Sequence, residues 1–110
     1  MIRAARLRRS RDIAAVQKTG RAIRRSAFVA RVRPSDLRGI RIAVTASRSI
    51  GNAVVRNRAR RRVREAFRRE LAAATGTGID VLVAVRPEAV AAPFASLVSD
   101  AASILREGPR

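Results

Sequence analysis

Hydrophobic and polar positions along the chain follow two different periods, one typical of helices and one typical of strands. At about 100° per residue, the apolar residues of the stretch 52–71 fall on one side of a helix: Val55, Ala59, Val63, Ala66, Phe67 and Leu71. Polar residues at i, i+4, i+7 and i+11 fall on the opposite side: Asn57, Arg61, Arg64 and Arg68. The pattern predicts one long two-faced helix that begins at Asn52 as N-cap and ends near Thr75, before Gly76 and Gly78.

Three further stretches have the pattern of strands. Residues 27–33 and 40–46 alternate, so Arg31, Arg33 and Arg41 share the face opposite to the apolar side chains. Residues 34–39 have turn composition, which predicts antiparallel pairing of these two strands with each other. Residues 79–85 form a nearly continuous apolar run, typical of a strand that is covered on both faces. Residues 22–24 are interpreted as an additional short strand.

Helices are predicted near both ends of the chain. Ser10 is a plausible N-cap for a short helix over residues 11–19, Asp12 suits its dipole, and Gly20 ends it. Residues 93–106 place five apolar side chains at helical spacing as core: Phe94, Leu97, Val98, Ala101 and Leu105. Residues 1–9 are basic and without a period, which indicates a flexible arm.

The element order is therefore α-β-β-β-α-β-α. It predicts an α+β fold in which helices and one small mixed sheet form a two-layer sandwich, as a single domain over residues 1–110. The strand at 40–46, the long helix and the strand at 79–85 form a β-α-β unit. General handedness rules would make this crossover right-handed.

The net charge decides what kind of partner the long helix faces. The chain carries 25 Lys and Arg against 8 Asp and Glu, a formal charge of +17, and only Lys18 is a lysine. Charge runs on helices are usually solvated faces, but a run of nearly one sign repels itself unless a polyanion compensates it. Guanidinium groups bind phosphates with paired hydrogen bonds and stack on bases. We therefore expect a nucleic-acid binder, without a membrane segment or signal peptide and located in the cytoplasm.

The residue inventory argues against a catalytic site in the protein itself. The chain has no histidine and no cysteine, and its 8 acids are scattered along the sequence. A two-metal nuclease needs several carboxylates that converge on the ions. A leucine-zipper basic region needs heptads after the arginines, and these are missing. A typical single-strand binder has aromatic platforms, whereas this chain has three Phe and neither Tyr nor Trp.

The run from Ser47 to Phe67, SRSIGNAVVRNRARRRVREAF, resembles the signature of the protein subunit of bacterial ribonuclease P. The Arg-Asn-Arg core at residues 56–58, with its downstream basic residues, is highly specific. The segment from residue 6 to Gly20, the strand with Phe28 and the closing helix follow the family order, so the resemblance covers nearly the whole chain.

The resemblance implies that a catalytic RNA subunit performs a magnesium-dependent endonucleolytic cleavage, which removes the 5′ leader of precursor tRNA. The protein would belong to a ribonucleoprotein enzyme, bind that RNA and the leader, need no protein partner, and leave Mg²⁺ mainly to the RNA. The family fold has a left-handed β-α-β crossover, which we expect here instead of the general rule. The implied RNA contacts are Arg48, Arg56, Asn57, Arg58, Arg60, Arg61, Arg64 and Arg68.

The resemblance also implies a groove for the leader between the first helix and the sheet. Its residues here would be Ile13, Val16, Gln17, Phe28 and Arg31. Family members commonly place aromatic residues at 13, 17 and 31, which this chain lacks, so we expect Arg31 to bind the leader through phosphate pairing and guanidinium stacking. Two alternatives are a general or ribosome-associated RNA-binding module, and a nuclease that acts without added RNA.

Overall fold

The computed structural model describes residues 4–7, 9–35, 39–71 and 78–108, and the side chains of all of these except 4, 5 and 71. In chain order the strands and α-helices are β1 (Ala4–Arg6), α1 (Ser10–Thr19), β2 (Arg21–Arg24), β3 (Phe28–Pro34), β4 (Ile40–Ala46), α2 (Ala53–Leu71), β5 (Ile79–Val85) and α3 (Phe94–Glu107). Short 3-10 helices at Arg48–Ile50 and Pro87–Val90 precede α2 and α3. The predicted α+β class and the order of the α-helices and of β2 to β5 are confirmed.

The five strands form one mixed sheet in the order β1-β4-β5-β3-β2. The last strand in sequence, β5, lies at the centre, antiparallel to β3 and parallel to β4. The predicted pairing of β3 with β4 through the 34–39 turn is therefore wrong, although the two strands do run in opposite directions. Instead, β5 lies between β3 and β4, because a strand that is apolar on both faces is buried in the middle of a sheet.

The main core lies between α2, α3 and one face of the sheet. Alternate residues of β3, β4 and β5 point into it, and α2 adds Ala59, Val63, Ala66 and Phe67, which are all fully buried. From α3 the buried residues are Leu97, Ala101 and Ile104, with Phe94, Val98 and Leu105 packed against them. The apolar face predicted for α3 is confirmed, with Ile104 in addition, and so are these four residues of α2. Val55, which was also predicted there, is half-buried, and the side chain of Leu71 lies outside the description. This layer is the predicted two-layer sandwich, and it holds the basic side of α2 outward.

Helix α1 covers part of the other face of the sheet. Its Val16 is fully buried in a small cluster with Leu7 and Leu82, against which Ile13 and Ala43 pack. Leu82 alternates with the β5 residues that enter the main core, so β5 is covered on both faces, as predicted. The sheet face beside α1 also carries Arg31 and Arg41.

The start of the chain differs from the prediction. Residues 4–6 are not a free arm: they form β1, parallel to the edge of β4, and Leu7 donates a backbone hydrogen bond to the carbonyl of Ile42 at 2.9 Å. The burial of Leu7 explains why this segment is held on the sheet, since a short edge strand gains little stability from its own hydrogen bonds. Residues 1–3 and 8 of the predicted arm lie outside the described residues.

The ends of the helices are set by specific local contacts. The side-chain oxygen of Asn52 accepts a hydrogen bond from the backbone N–H of Val55 at 3.0 Å, which confirms it as the N-cap of α2. The N-cap of α1 is Arg9, not Ser10, which already lies in the helix. Gly20 ends α1, as predicted, in extended backbone: a Cβ there would lie 2.4 Å from the carbonyl oxygen of Val16.

Two predicted features fall on residues that the structure does not describe. The expected end of α2 near Thr75 falls in residues 72–77, and the middle of the turn falls in residues 36–38, which the description does not include. Between β4 and β5 the crossover through α2 joins two adjacent parallel strands. The left-handed sense of this β-α-β crossover stays a prediction. Within the described ranges, no helix is both long and apolar enough to cross a membrane.

Candidate nucleic-acid interface

The first half of α2, residues 53–64, presents cations that no carboxylate of the described residues neutralises. Arg58, Arg61 and Arg64 are exposed, and Arg56 and Arg60 are half-buried. Arg56 donates to the carbonyl of Gly51, and Arg60 donates to the side-chain oxygen of Asn57. Within the described ranges none of these five arginines has a carboxylate oxygen within 4.0 Å. The first half of the helix is therefore a row of positive charge with polar groups that hold two of its side chains in place.

Strand β1 adds a cation to this row. Arg6 is in register with Ile42, whose side chain is buried in the core beneath α2, so Arg6 lies on the α2 side of the sheet edge. Partial burial lowers the pKa of Arg64 from its usual value, and the charges of Arg6 and Arg60 lower it further. Arg64 is therefore repelled by one guanidinium group of its own helix and by one of β1, and an anion bound beside Arg64 would relieve this repulsion. The sequence reasoning missed Arg6, and the only available signal was the apolar Leu7 beside it.

The loop before α2 carries the remaining predicted contact. Arg48 is exposed in the 3-10 helix that leads into α2. Gly51 follows at a φ of 152°, and a Cβ there would lie 3.1 Å from the Val55 side chain. The tight approach of Gly51 to the first turn of α2 therefore fixes where the Arg48 loop joins the helix.

The second half of α2, residues 65–71, uses its arginines within the protein, together with Arg62 at the boundary. Arg62 donates to the carbonyls of Ala89 at 2.7 Å, Val90 at 3.1 Å and Ala92 at 2.5 Å. Arg68 makes a bidentate pair with Glu65 at 2.8 and 2.6 Å, and this hydrogen bonding lowers the pKa of Glu65. The guanidinium carbon of Arg69 lies 5.1 Å from the centre of the Phe94 ring.

Of the five residues predicted for the groove beside α1, three have accessible side chains. Gln17 is exposed, Ile13 and Arg31 are half-buried, and the Cβ of Arg31 would be 3.3 Å from a Cβ at Gly20, directly under the end of α1. Phe28 was wrong as a groove residue: it has 0% exposure and packs on Phe67 at 5.4 Å, in the main core on the other face. Val16 is also fully buried, because it anchors α1 to Leu82, so it cannot contact a ligand in the groove.

A second charged group lies at the other end of α1. The carboxylate of Asp80 has its side chain 3% exposed and accepts two hydrogen bonds from Arg41, at 2.8 and 2.6 Å. This pairing raises the pKa of Arg41. A third nitrogen of Arg41 lies 3.3 Å from a carboxylate oxygen of Asp12. Two features of the sequence could have indicated this ion pair. Asp80 is the single charge within the apolar run of β5, and Arg41 was predicted on the polar face of β4.

In sequence and in fold the chain is similar to proteins of one family. The family model described as Ribonuclease P matches residues 1–107. The chain is 44% identical over 108 residues to the ribonuclease P protein component of Chloroflexus aggregans, which covers 97% of this chain and 79% of that protein. It is similar to the structure of the RNase P protein from Thermotoga maritima, with a TM-score of 0.80 and 27% identity over 93% of this chain and 96% of that one. The Staphylococcus aureus RNase P protein, at 23% identity over 96% and 95% of the two chains, shares the fold with a TM-score of 0.77.

Proposed function

Since the chain belongs to the ribonuclease P protein family, which acts in tRNA 5′-end processing, we propose that it binds the catalytic RNA of that enzyme through the first half of α2. The observation that carries the proposal is a row of arginines without carboxylate partners in the part of the chain that the structure describes. It consists of Arg56, Arg58, Arg60, Arg61 and Arg64, and is extended by Arg6 and Arg48. Asn57 fixes Arg60 within the row. Phosphates along an RNA backbone supply the negative charge that this surface lacks.

The buried underside of α2 explains how the row is kept in place. Four of its side chains are fully buried against the sheet and α3, so the helix cannot rotate without opening the main core. A preformed row of planar donors loses little conformational freedom when phosphates bind. Arg68 is also exposed, but its pairing with Glu65 reduces the charge that it offers to RNA. We therefore place Arg68 at the edge of the docking surface.

The α1 face is proposed as the contact for the 5′ leader of precursor tRNA. Ile13, Gln17 and Arg31 are the residues of the predicted groove whose side chains are accessible. None of them is aromatic, so Arg31 would bind the leader by pairing with its phosphates and stacking its guanidinium plane on a base. The catalytic RNA and the leader would then meet different faces of the protein, separated by the sheet.

We assign the cleavage step to the RNA subunit. Its phosphate oxygens are the hard ligands that Mg²⁺ prefers, and the ion supplies Lewis-acid activation of the hydrolysis when bound there. Within the described residues no three His, Cys, Asp or Glu side chains come together as a metal site. The contribution of the protein in this proposal is positive charge, which lowers the repulsion between two RNAs and so the Mg²⁺ concentration that their association needs. Such an assembly would work in the cytoplasm.

The proposal is tested by cleavage of precursor tRNA by a bacterial ribonuclease P RNA, with and without this chain, over a range of Mg²⁺ concentrations. We expect the chain to stimulate cleavage at low Mg²⁺ and to have little effect at high Mg²⁺. Cleavage by the chain without added RNA would instead indicate a nuclease. Equal binding to unrelated RNAs, without stimulation, would indicate a general RNA-binding module.

A further inference from the structure

One large apolar side chain in the first turn of α2 is open to solvent. Val54 is 75% exposed, whereas every other Val, Leu, Ile and Phe side chain that the structure describes is buried or half-buried. An exposed valine adds no buried surface, and a β-branched residue is a weaker helix former than alanine. The stability of the fold therefore does not explain a valine at this position.

The surroundings of Val54 are positively charged on both sides. Arg58 lies one turn further along the same face of α2, at i+4. The exposed Arg48 lies in the 3-10 helix just before α2, where its carbonyl accepts a hydrogen bond from the N–H of Gly51 at 3.2 Å. Neither arginine has a carboxylate oxygen within 4.0 Å among the described residues. Because a helical side chain leans toward the helix N-terminus, Val54 lies between these two cations.

The order of cation, apolar group and cation on this surface matches the order of phosphate, nucleoside and phosphate in a nucleotide chain. Guanidinium groups bind the phosphates, whereas the two methyl groups of a valine suit an apolar surface such as the face of a base. In double-stranded RNA the base faces are stacked on one another, so a free base face requires an unpaired nucleotide. An apolar protein partner would leave both arginines without counter-charges, so charge complementarity favours RNA.

We propose that Val54 contacts the base of one unpaired nucleotide of the catalytic RNA, whose flanking phosphates bind Arg48 and Arg58. The inference rests on the proposed function and adds to it a property of the RNA, namely that the segment at the first turn of α2 is single-stranded. The other arginines of the row need only phosphates, which paired and unpaired RNA both supply. Val54 therefore restricts the places on a large RNA where the helix can dock.

The apolar contact is tested by binding of the full chain to a bacterial ribonuclease P RNA over a salt series. Val54→Ala should weaken binding by roughly three- to tenfold and leave the slope of log affinity against log salt unchanged, because no phosphate contact is lost. Val54→Ile should retain the affinity. Arg58→Ala should instead lower the slope by about 0.7 to 0.9. Val29→Ala, which shortens a half-buried valine on the sheet face opposite to the main core, is the matched control and should leave RNA binding unchanged.

The state of the contacted nucleotide is tested by crosslinking. The chain has no cysteine, so Val54→Cys introduces a single thiol that can carry a photo-crosslinker. We expect crosslinks at a nucleotide that 2′-hydroxyl acylation identifies as unpaired in the same RNA, and far fewer from Val29→Cys. Unchanged affinity or a lowered salt slope in Val54→Ala, or crosslinks confined to paired RNA, overturns the contact. Absence of RNA binding by the wild-type chain would instead overturn the proposed function.

Discussion

The two halves of α2 have similar sequences and different uses for their arginines. In the first half, Arg58, Arg61 and Arg64 are exposed and have no carboxylate nearby among the described residues. In the second half, Arg68 is paired with Glu65, and Arg69 lies over Phe94. The difference shows that net charge alone does not locate a binding surface. The relevant quantity is the charge that remains after internal partners are counted.

The largest expected effect comes from replacing two arginines of the first half of α2 with alanine, compared with the same change in the second half. Arg61→Ala with Arg64→Ala should weaken binding to the ribonuclease P RNA by roughly thirtyfold or more and lower the slope of log affinity against log salt by about 1.4 to 1.8, the value for two lost phosphate contacts. Arg68→Ala with Arg69→Ala should change both much less. Filter binding or fluorescence anisotropy over a salt series measures the slopes, and equal slopes in the two double variants would refute the division of α2.

Arg62 at the boundary between the halves should affect stability more than binding. Its guanidinium donates to three backbone carbonyls of residues 89–92 and ties α2 to the segment before α3. Arg62→Ala removes charge-assisted hydrogen bonds worth about 1.5 to 3 kcal/mol, which should lower the melting temperature by roughly 5 °C or more. The salt slope of RNA binding should stay that of the wild type. Arg61→Ala serves as the control, with the opposite result: an unchanged melting temperature and a lower slope.

The smallest expected effect is a gain. Glu65 holds Arg68 with both oxygens and is also within 3.8 Å of Arg69. Glu65→Gln removes the negative charge, so Arg68 becomes available to RNA and the binding affinity should rise by roughly two- to threefold. Glu88→Gln, which frees an exposed arginine outside α2, Arg86, is the matched control. A loss of affinity in Glu65→Gln would mean that the pair itself positions Arg68 for RNA.

The sequence was sufficient wherever a local pattern determines the structure. The period of α2 identified its buried face, and Asn52 its first turn, because both depend on residues within a few positions of one another. Alternation separated the two faces of β3 but did not show which helix covers which face. Phe28 was expected in the groove beside α1 from the family resemblance and not from the alternation, whereas it packs on Phe67 of α2.

Contacts between distant segments were not accessible to the same reasoning. Pairing of β3 with β4 was favoured by the short turn, but both strands pair with β5 instead, and that competition depends on burial across the whole sheet. The use of Arg62 was hidden for the same reason, since its acceptors are backbone carbonyls about thirty residues away and carry no side-chain signal.

The central position of β5 has a consequence for the order in which the molecule can form. Strands β3 and β4 have no hydrogen bonds to each other in this sheet, so each needs residues 79–85 before it is paired on its inner edge. A ribosome completes α2 before it begins β5. The arginine helix therefore emerges from synthesis ahead of the strand that joins the two sides of its supporting sheet, and its underside gains a complete platform only when the chain is nearly finished.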